Sequence, residues 1–160
     1  MSAPSDLRPA GMASDVRVLR ARDCPASFYR YLYREVGRRH YWRDRLDWTD
    51  EQILALLEDA AISLSVMYRE GSPLGFFELR SHADGSVEIA YFGLLPEVVG
   101  QGLGKQMLSA AVEAAWSSGA SRVWLHTCTL DSPAALPNYI ARGFRPFREE
   151  RYEVELSPDL

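Results

Sequence analysis

The segment from residue 87 to residue 129 constrains the fold of this chain more than any other stretch. It contains an apolar strand pattern (VEIAYFGLL, 87–95), a glycine-rich loop, an apolar-striped helix over 104–118 and a second strand pattern (RVWLHTCT, 122–129). Two strands joined through a helix need a right-handed crossover, so we expect these strands to lie parallel in one sheet. The glycine-rich loop falls where the crossover helix begins.

The remaining segments supply strands and helices on both sides of this unit. VRVLRA (16–21) alternates as a half-buried strand, and apolar spacing after Pro25 predicts a helix up to Gly37. Thr49 and Gln52 form a capping box at the start of a second helix. The other predicted elements are strands over 62–68, 74–80 and 147–156 and a helix over about 133–142. The order β-α-α-β-β-β-α-β-α-β predicts an α/β protein with one mixed sheet.

Length and composition are those of one compact domain. The chain has 160 residues, 47% of them hydrophobic, and we expect a flexible leader over 1–14 followed by a single domain over 15–160. The sequence has no run of about 18 apolar residues and no signal-peptide pattern, so we expect a cytoplasmic protein without a membrane partner. The formal charge of -4 argues against a general nucleic-acid binder.

The glycine-rich loop VVGQGLGKQML (98–108) has the composition of a phosphate site at a helix N-terminus. A Walker loop would need glycine at Val99 and a hydroxyl residue at Gln106, and neither is present. The spacing of the three glycines also departs from the dinucleotide fingerprint. ATP-binding and nicotinamide-binding proteins are therefore disfavoured.

The loop resembles the signature of the GNAT superfamily of N-acyltransferases, Q/R-x-x-G-x-G/A at the start of the helix after the fourth strand. Residues 99–104 match it at both glycines, while Val99 replaces the leading Gln or Arg. LDSPAALPNYIARGF (130–144) resembles the family's second hallmark, a helix that bears a tyrosine and ends in Gly-Phe. The resemblance spans roughly 16–145, and it implies six to seven strands flanked by about four helices.

The resemblance also implies a site for acetyl-CoA, with no metal. The loop amides would hold the pyrophosphate, and a bulged stretch of the fourth strand would hold the pantetheine arm and the oxyanion. Gly93 suits such a bulge. The residues implied in cofactor binding are Phe92, Gly93, Leu94, Val99, Gly100, Gln101, Gly102, Leu103, Gly104, Lys105 and Ser132.

Two residues are candidates for proton transfer in the implied reaction, acetyl transfer to a primary amine. Glu88 resembles the family's basic glutamate in position, although a solvated glutamate at a strand end explains it equally well. Tyr139 matches the tyrosine that protonates the leaving sulfur, and its alternative is a packed helix aromatic. Pro137 inside the predicted helix would displace this tyrosine. His40 and His82 are interpreted as surface residues, and His126 as a strand residue outside any metal site.

The acceptor is expected to be a small-molecule or peptide amine bound near the first two helices. The candidates for contact with it are Tyr33, Tyr41, Trp42, Arg45 and Trp48. An ordinary amphipathic helix accounts for most of these residues as well. A single closing strand with an exposed edge would favour a homodimer. A non-catalytic acyl-CoA-binding module on the same fold is the alternative function.

Overall fold

The computed structural model describes residues 1–153 and contains one five-stranded sheet with helices on both faces. The strands are β1 (Val16–Arg20), β2 (Ile62–Arg69), β3 (Ser72–Ser81), β4 (Ser86–Leu94) and β5 (Arg122–Leu125). The helices are α1 (Ala26–Gly37), α2 (Asp50–Glu58), α3 (Leu103–Ser117) and α4 (Ala135–Ala141), with short 3₁₀ turns at Pro4–Asp6 and Pro96–Val98. The mixed α/β fold class predicted from the sequence is confirmed.

The sheet follows chain order, β1-β2-β3-β4-β5. The first four strands form an antiparallel meander, and β5 pairs with β4 in parallel through the α3 crossover, as the sequence predicts. The capping box of α2 is also present: the Thr49 hydroxyl accepts from the Gln52 amide at 3.3 Å, and the Gln52 side chain accepts from the Thr49 amide at 2.9 Å.

The predicted count of six to seven strands is too high for the described residues. Residues 147–153 form no strand, and the rest of the predicted closing strand, 154–156, lies outside the described residues. This segment has no apolar face to bury, because four consecutive charged residues separate Phe147 from Tyr152, and these two side chains are 62% and 70% exposed. Within the described residues, the sheet therefore ends at β5.

β5 is shorter than predicted, because the chain turns after Leu125 instead of continuing to Thr129. The Asp131 carboxylate accepts from the Thr127 hydroxyl at 2.5 Å and from the Cys128 amide at 3.2 Å. A side chain that satisfies nearby backbone donors competes with the strand ladder. The turn directs the chain away from β4 and towards α4.

Two apolar cores lie on opposite faces of the sheet. One lies under α3 and includes Phe77, Val123 and Met107, and the other lies under α1 and α2 and includes Leu32 and Phe76. The buried residues of α1 and α3 follow the apolar spacing that the sequence predicts for these helices. The sheet is thereby fixed on both faces next to the point where β4 and β5 separate.

The first residues of the chain contact α3, β5 and the turn after α4. The Met1 amino group donates to the Val123 carbonyl at 2.7 Å, and the amide of Ala13 donates to the Gln106 side chain at 2.8 Å. Gly143 has φ +105°, and a Cβ placed on it would lie 1.9 Å from the Asp6 carbonyl oxygen. The flexible leader over 1–14 stays a prediction, and these contacts argue against it.

Candidate active site

The site begins where β4 separates from β5. The two strands pair only from Ser86 with Arg122 to Ile89 with Leu125. On the other side of β4, Leu79 lies opposite Ile89 while Glu78 lies opposite Tyr91, which leaves Ala90 as an extra residue. Such a bulge bends a strand and ends its pairing. The separation opens a cleft that encloses about 60 Å³, room for a few reacting atoms rather than a whole substrate.

The cleft is lined by residues from four parts of the chain. β4 contributes residues 89–92, and the end of β5 and the following loop contribute Leu125, His126 and Asp131. Trp42, from the segment between α1 and α2, and Tyr139, from α4, complete the lining. A bulged strand, an imidazole, a carboxylate and a phenol therefore meet in one small space.

The bulge does not fall at Gly93, the residue that the sequence favours. Gly93 is glycine because α1 lies close: a Cβ placed on it would lie 2.4 Å from Cγ1 of Val36. The bulge residue is Ala90, three positions earlier. An alanine in a strand carries no local sign of a bulge, so the sequence pointed to the nearby glycine.

The backbone of β4 presents free donors to the cleft. The Leu95 amide donates to the Leu74 carbonyl on β3 at 2.8 Å. Because successive strand residues direct their backbone groups to opposite edges, the Gly93 amide also faces β3, whereas those of Phe92 and Leu94 face the gap left by β5. Phe92 and Leu94, two of the three predicted residues, therefore offer their amides at the open edge.

The glycine-rich loop forms the N-terminus of α3 next to this edge. Gly100 and Gly102 have φ of +88° and +75°, and a Cβ on Gly100 would meet nothing within 4 Å. The helix begins at Leu103, so its first amides lack partners within the helix. These free donors, the open glycine surface and the nearby Lys105 fit a pyrophosphate.

Side-chain contacts hold the loop in this form. Gln106 Nε2 donates to the Gly102 carbonyl at 3.3 Å, and Arg69 donates to Gln101 Oε1 at 3.0 Å. Val99, which replaces the family's Gln or Arg, is 55% exposed. The loop therefore offers backbone donors at the position where the family signature has a polar side chain.

Tyr139 lies on α4 with its ring between Phe92 and Phe144, each at a centroid distance of 6.2 Å. It is 7% exposed and lines the cleft. Burial raises the pKa of the Tyr139 phenol, and the Asp131 carboxylate raises it further. The phenol is therefore protonated throughout the neutral range and is available as a donor.

Pro137 does not disturb Tyr139 as the sequence suggests. α4 begins at Ala135, so Pro137 lies in the first turn, where the amides have no partner within the helix. Ser132 is not the N-cap of this helix, which is Ala134. Its hydroxyl instead accepts from the Ala134 amide at 3.3 Å in the turn before the helix.

Glu88 lies on the paired part of β4 and is 8% exposed, so it is not a solvated residue at a strand end. Two imidazoles flank its carboxylate: His82 Nε2 is 3.0 Å from Oε2, and His126 Nδ1 is 3.6 Å from Oε1. Trp124 lies against both imidazoles, with ring centroids 5.4 Å from His82 and 5.8 Å from His126. The sequence interpretation missed this cluster, because it treated the histidines separately.

The aromatic residues proposed for the acceptor have different environments. Trp42 lines the cleft and packs edge-on against Tyr91 at 4.9 Å. Tyr33 is 2% exposed, and its hydroxyl accepts from the Arg45 amide at 3.3 Å. Trp48 stacks under the Arg45 guanidinium, and Tyr41 is exposed. Of the five predicted acceptor residues, the structure brings Trp42 alone to the cleft.

Arg45 forms a buried cluster with Glu78 and Tyr29 behind the cleft wall. Its two terminal nitrogens lie 2.7 Å and 3.1 Å from the Glu78 carboxylate oxygens. The Tyr29 hydroxyl donates a hydrogen bond to the same carboxylate. The same guanidinium lies 4.4 Å from the ring centroid of Tyr91. Arg45 therefore supports the aromatic wall from inside, and Glu78 is a buried partner that the sequence interpretation missed.

No group of three His, Cys, Asp or Glu side chains in residues 1–153 converges closely enough to hold a metal ion. In the same part of the chain, no helix is long and apolar enough to cross a membrane.

Comparison with known proteins gives the chain a family. The model of the acetyltransferase (GNAT) family matches residues 19–144. The chain belongs to the GNAT family. No curated protein matches it. The family match includes every element of the cleft described above.

Solved structures of several acetyltransferases share the fold. An aminoglycoside acetyltransferase from an uncultured soil metagenomic sample, solved with trehalose and with sisomicin, has a TM-score of 0.72 and 14% identity, covering 89% of this chain and 97% of its own. AAC(6')-Iy with a bisubstrate analogue has a TM-score of 0.65 and 16% identity, covering 90% and 100%. An IAA acetyltransferase from Bacillus cereus has a TM-score of 0.62 and 25% identity, covering 83% and 79%.

Proposed function

We propose that this GNAT protein transfers the acetyl group of acetyl-CoA to a primary amine of a small molecule or a peptide. The observation that carries the proposal is the cleft itself, where free β4 amides, the buried phenol of Tyr139 and the side chain of His126, backed by Glu88, meet within one small space. Aminoglycoside acetyltransferases among the structural neighbours support an acceptor of the small polyamine type.

Acetyl-CoA supplies a thioester whose carbonyl carbon is attacked by the amine. The N-terminus of α3, with Gly100, Gly102 and Lys105, would hold the pyrophosphate, and Ser132 would lie beside the cofactor. The Leu94 amide would bind the pantetheine arm as an added strand binds a sheet edge, which leaves the Phe92 amide for the carbonyl oxygen. This arrangement directs the thioester into the gap between β4 and β5.

The reaction then needs three contributions from the chain. A primary amine is mostly protonated at pH 7, so the Glu88 cluster must accept a proton. The carbonyl oxygen gains negative charge in the tetrahedral intermediate, which the Phe92 amide stabilises. When the carbon–sulfur bond breaks, the Tyr139 hydroxyl donates a hydrogen bond and then a proton to the leaving sulfur, and the phenolate regains a proton from water that enters the cleft.

A non-catalytic acyl-CoA-binding module is the second candidate, and Val99 is the residue that favours it. Calorimetry with CoA, beside thiol release with sisomicin, spermidine and a peptide with a free N-terminus, separates the two. CoA binding together with turnover of at least one amine supports the enzyme. CoA binding without turnover of any of them contradicts it and favours the binding module.

A nucleotide-binding protein would respond differently. It would gain at least as much thermal stability from ATP as from CoA, because at equal concentration the ligand that binds more tightly stabilises the folded state more. We expect the melting temperature to rise with CoA and to change little with ATP. The reverse order would contradict the proposal.

A further inference from the structure

We propose that Asp131 binds the acceptor nitrogen inside the cleft and stabilises the positive charge that this nitrogen gains as it attacks the thioester. The inference rests on the proposed acetyl transfer and assigns Asp131 as a catalytic residue of that reaction. Three observations carry it: the carboxylate lines the cleft, hydrogen bonds fix one of its oxygens, and it forms no ion pair within the described residues.

Asp131 lies in the loop that connects β5 to α4. Its side chain is half-buried and lines the cleft together with Tyr139. The carboxylate is close enough to raise the pKa of the Tyr139 phenol, the group proposed to protonate the leaving sulfur. The sulfur is bonded to the carbon that the amine attacks, so the same carboxylate is also near the attacking nitrogen. Because the cleft encloses only about 60 Å³, a nitrogen that reaches Asp131 there is the reacting one.

Two hydrogen bonds fix the orientation of the Asp131 carboxylate. The Thr127 hydroxyl donates to Oδ2 at 2.5 Å, and the Cys128 amide donates to the same oxygen at 3.2 Å. The Asp131 amide closes the turn by donating to the Cys128 carbonyl at 3.1 Å. Both side-chain bonds end on Oδ2, and no hydrogen bond to Oδ1 is formed within residues 1–153. Oδ1 therefore keeps its acceptor capacity for a donor that enters the cleft.

The charge of Asp131 has no protein counterion in the part of the chain that the structure describes. None of the ion pairs within residues 1–153 includes it. His126, which lines the same cleft, has its Nδ1 3.6 Å from Glu88 instead. A half-buried carboxylate without a paired cation favours a ligand that brings a positive charge or an N–H donor. The aromatic rings of Trp42 and Tyr91 in the cleft lining favour the same kind of ligand.

The attack of the amine gives this carboxylate its task. The lone pair of the neutral amine forms the nitrogen–carbon bond, and the π electrons of the carbonyl group move to oxygen, so the nitrogen becomes positive and the oxygen negative. An N–H of this nitrogen donates to Asp131 Oδ1, whose charge stabilises the nitrogen while the Phe92 amide stabilises the oxygen. When the carbon–sulfur bond breaks, the nitrogen loses its extra proton to water, which balances the proton that the Tyr139 phenolate regains. Asp131 stays ionised throughout.

The test is kcat/KM for sisomicin and spermidine at saturating acetyl-CoA in wild type, Asp131→Asn and the control Asp47→Asn, with calorimetry of CoA binding to each. Asn removes the charge of Asp131 but keeps an oxygen that accepts from Thr127 and Cys128. Asp47 is an exposed residue between α1 and α2, where the same substitution changes the net charge equally. We expect Asp131→Asn to lower kcat/KM about 10- to 100-fold, the range for a lost hydrogen bond to a charged group, and to keep the wild-type Kd for CoA. Asp47→Asn should stay within about twofold of wild type.

Thr127 supplies a second pair of variants, because it holds the carboxylate and does not itself line the cleft. Thr127→Val removes the donor to Oδ2 and should lower kcat/KM about three- to tenfold, as expected for one hydrogen bond. Thr127→Ser keeps a hydroxyl and should stay near wild type. Thr127 is exposed, so we expect the melting temperatures of both variants to be those of wild type.

The outcomes separate the role of Asp131 from the proposed function. Wild-type kcat/KM in Asp131→Asn, or an equal fall in Asp47→Asn, would overturn the role of Asp131 and leave acetyl transfer standing. A weakened Kd for CoA that accounts for the whole fall in Asp131→Asn would also overturn it, because the carboxylate would then hold the cofactor. Wild-type protein inactive on both amines would overturn the proposed function, and the role of Asp131 with it.

Discussion

Tyr139 combines burial, ring contacts and a neighbouring carboxylate at one point of the cleft. Burial is the main cause that raises the pKa of its phenol, and Asp131 adds to it. A phenol with a raised pKa stays protonated where a thiolate needs a proton, and it cannot serve as the base at neutral pH. The contacts with Phe92 and Phe144 fix the position of the ring, whereas burial and Asp131 raise the pKa of its hydroxyl.

Replacing Tyr139 by Phe should lower kcat by roughly 100-fold and leave the Kd for CoA nearly unchanged, since the ring contacts remain. Because the pKa is raised, ionisation of Tyr139 should not reduce wild-type kcat below about pH 10. Steady-state thiol release measured up to that pH checks both expectations. Tyr31→Phe, at an exposed residue of α1, is the matched control. Equal kcat in Tyr139→Phe and wild type would remove its role.

Val99 is the residue at which the chain departs from the family signature. It is 55% exposed, so a larger polar side chain has room and costs little stability. Val99→Arg should tighten CoA binding by about two- to fivefold at low salt, as expected for one exposed ion pair. Calorimetry measures the change, with Leu54→Arg on α2 as the control for added charge. Equal tightening in both variants would show a non-specific effect of net charge.

At the scale of elements, α1 and β4 meet at Gly93. The closeness of Val36 leaves no space for a Cβ, so the glycine sets how near α1 lies to the strand that forms the cleft wall. Trp42 lies against the same position and packs on Gly37 and Tyr91. The placement of the wall therefore depends on the contact between one helix and one strand.

Gly93→Ala should lower the free energy of unfolding by about 1–3 kcal/mol, the usual cost of overpacking a core. The double variant Val36→Ala/Gly93→Ala should be less destabilised than the sum of the two single variants, because removing Cγ1 of Val36 makes room. Urea unfolding measures the three variants. Gly11→Ala is the control, since a Cβ there meets nothing within 4 Å. Simple additivity would contradict this explanation of Gly93.

Helices and strands were predictable from the sequence where their signals are local. The capping box of Thr49 and the apolar runs and short turns of β2 to β4 are encoded in adjacent residues, and the structure confirms them. The bulge at Ala90 and the early end of β5 depend on partners elsewhere in the chain. The contacts of Arg45 with Glu78, 33 positions apart, and of Glu88 with His126 exist only in the folded sheet.

For the whole molecule, buried tyrosines couple stability to alkaline pH. Burial is the main cause that raises the pKa values of Tyr29, Tyr91 and Tyr139. Below the ordinary tyrosine pKa of about 10 both states keep the protons, whereas above it the unfolded chain loses them first. The unfolding free energy should therefore be flat up to about pH 10 and fall above it, by at most about 1.4 kcal/mol per pH unit for each tyrosine.

Urea unfolding between about pH 8 and 11 measures this slope. The variant Tyr139→Phe should show a shallower fall than wild type, while Tyr31→Phe should not. A stability that rises above pH 10, or a slope unchanged in Tyr139→Phe, would contradict the assignment of that buried phenol.

The homodimer stays a prediction at the scale of the whole molecule. Its argument was an exposed strand edge, and the outer edge of β5 is engaged at Val123 by both backbone groups of Met1. Sedimentation analysis of the full chain measures the oligomeric state.

The central claim is acetyl transfer to an amine in the cleft between β4 and β5. Mass spectrometry of sisomicin and spermidine after incubation with the protein and acetyl-CoA tests it most directly. We expect a product heavier by one acetyl group, formed in step with free CoA thiol and strongly reduced in Tyr139→Phe. CoA binding without an acetylated product from either amine would contradict it.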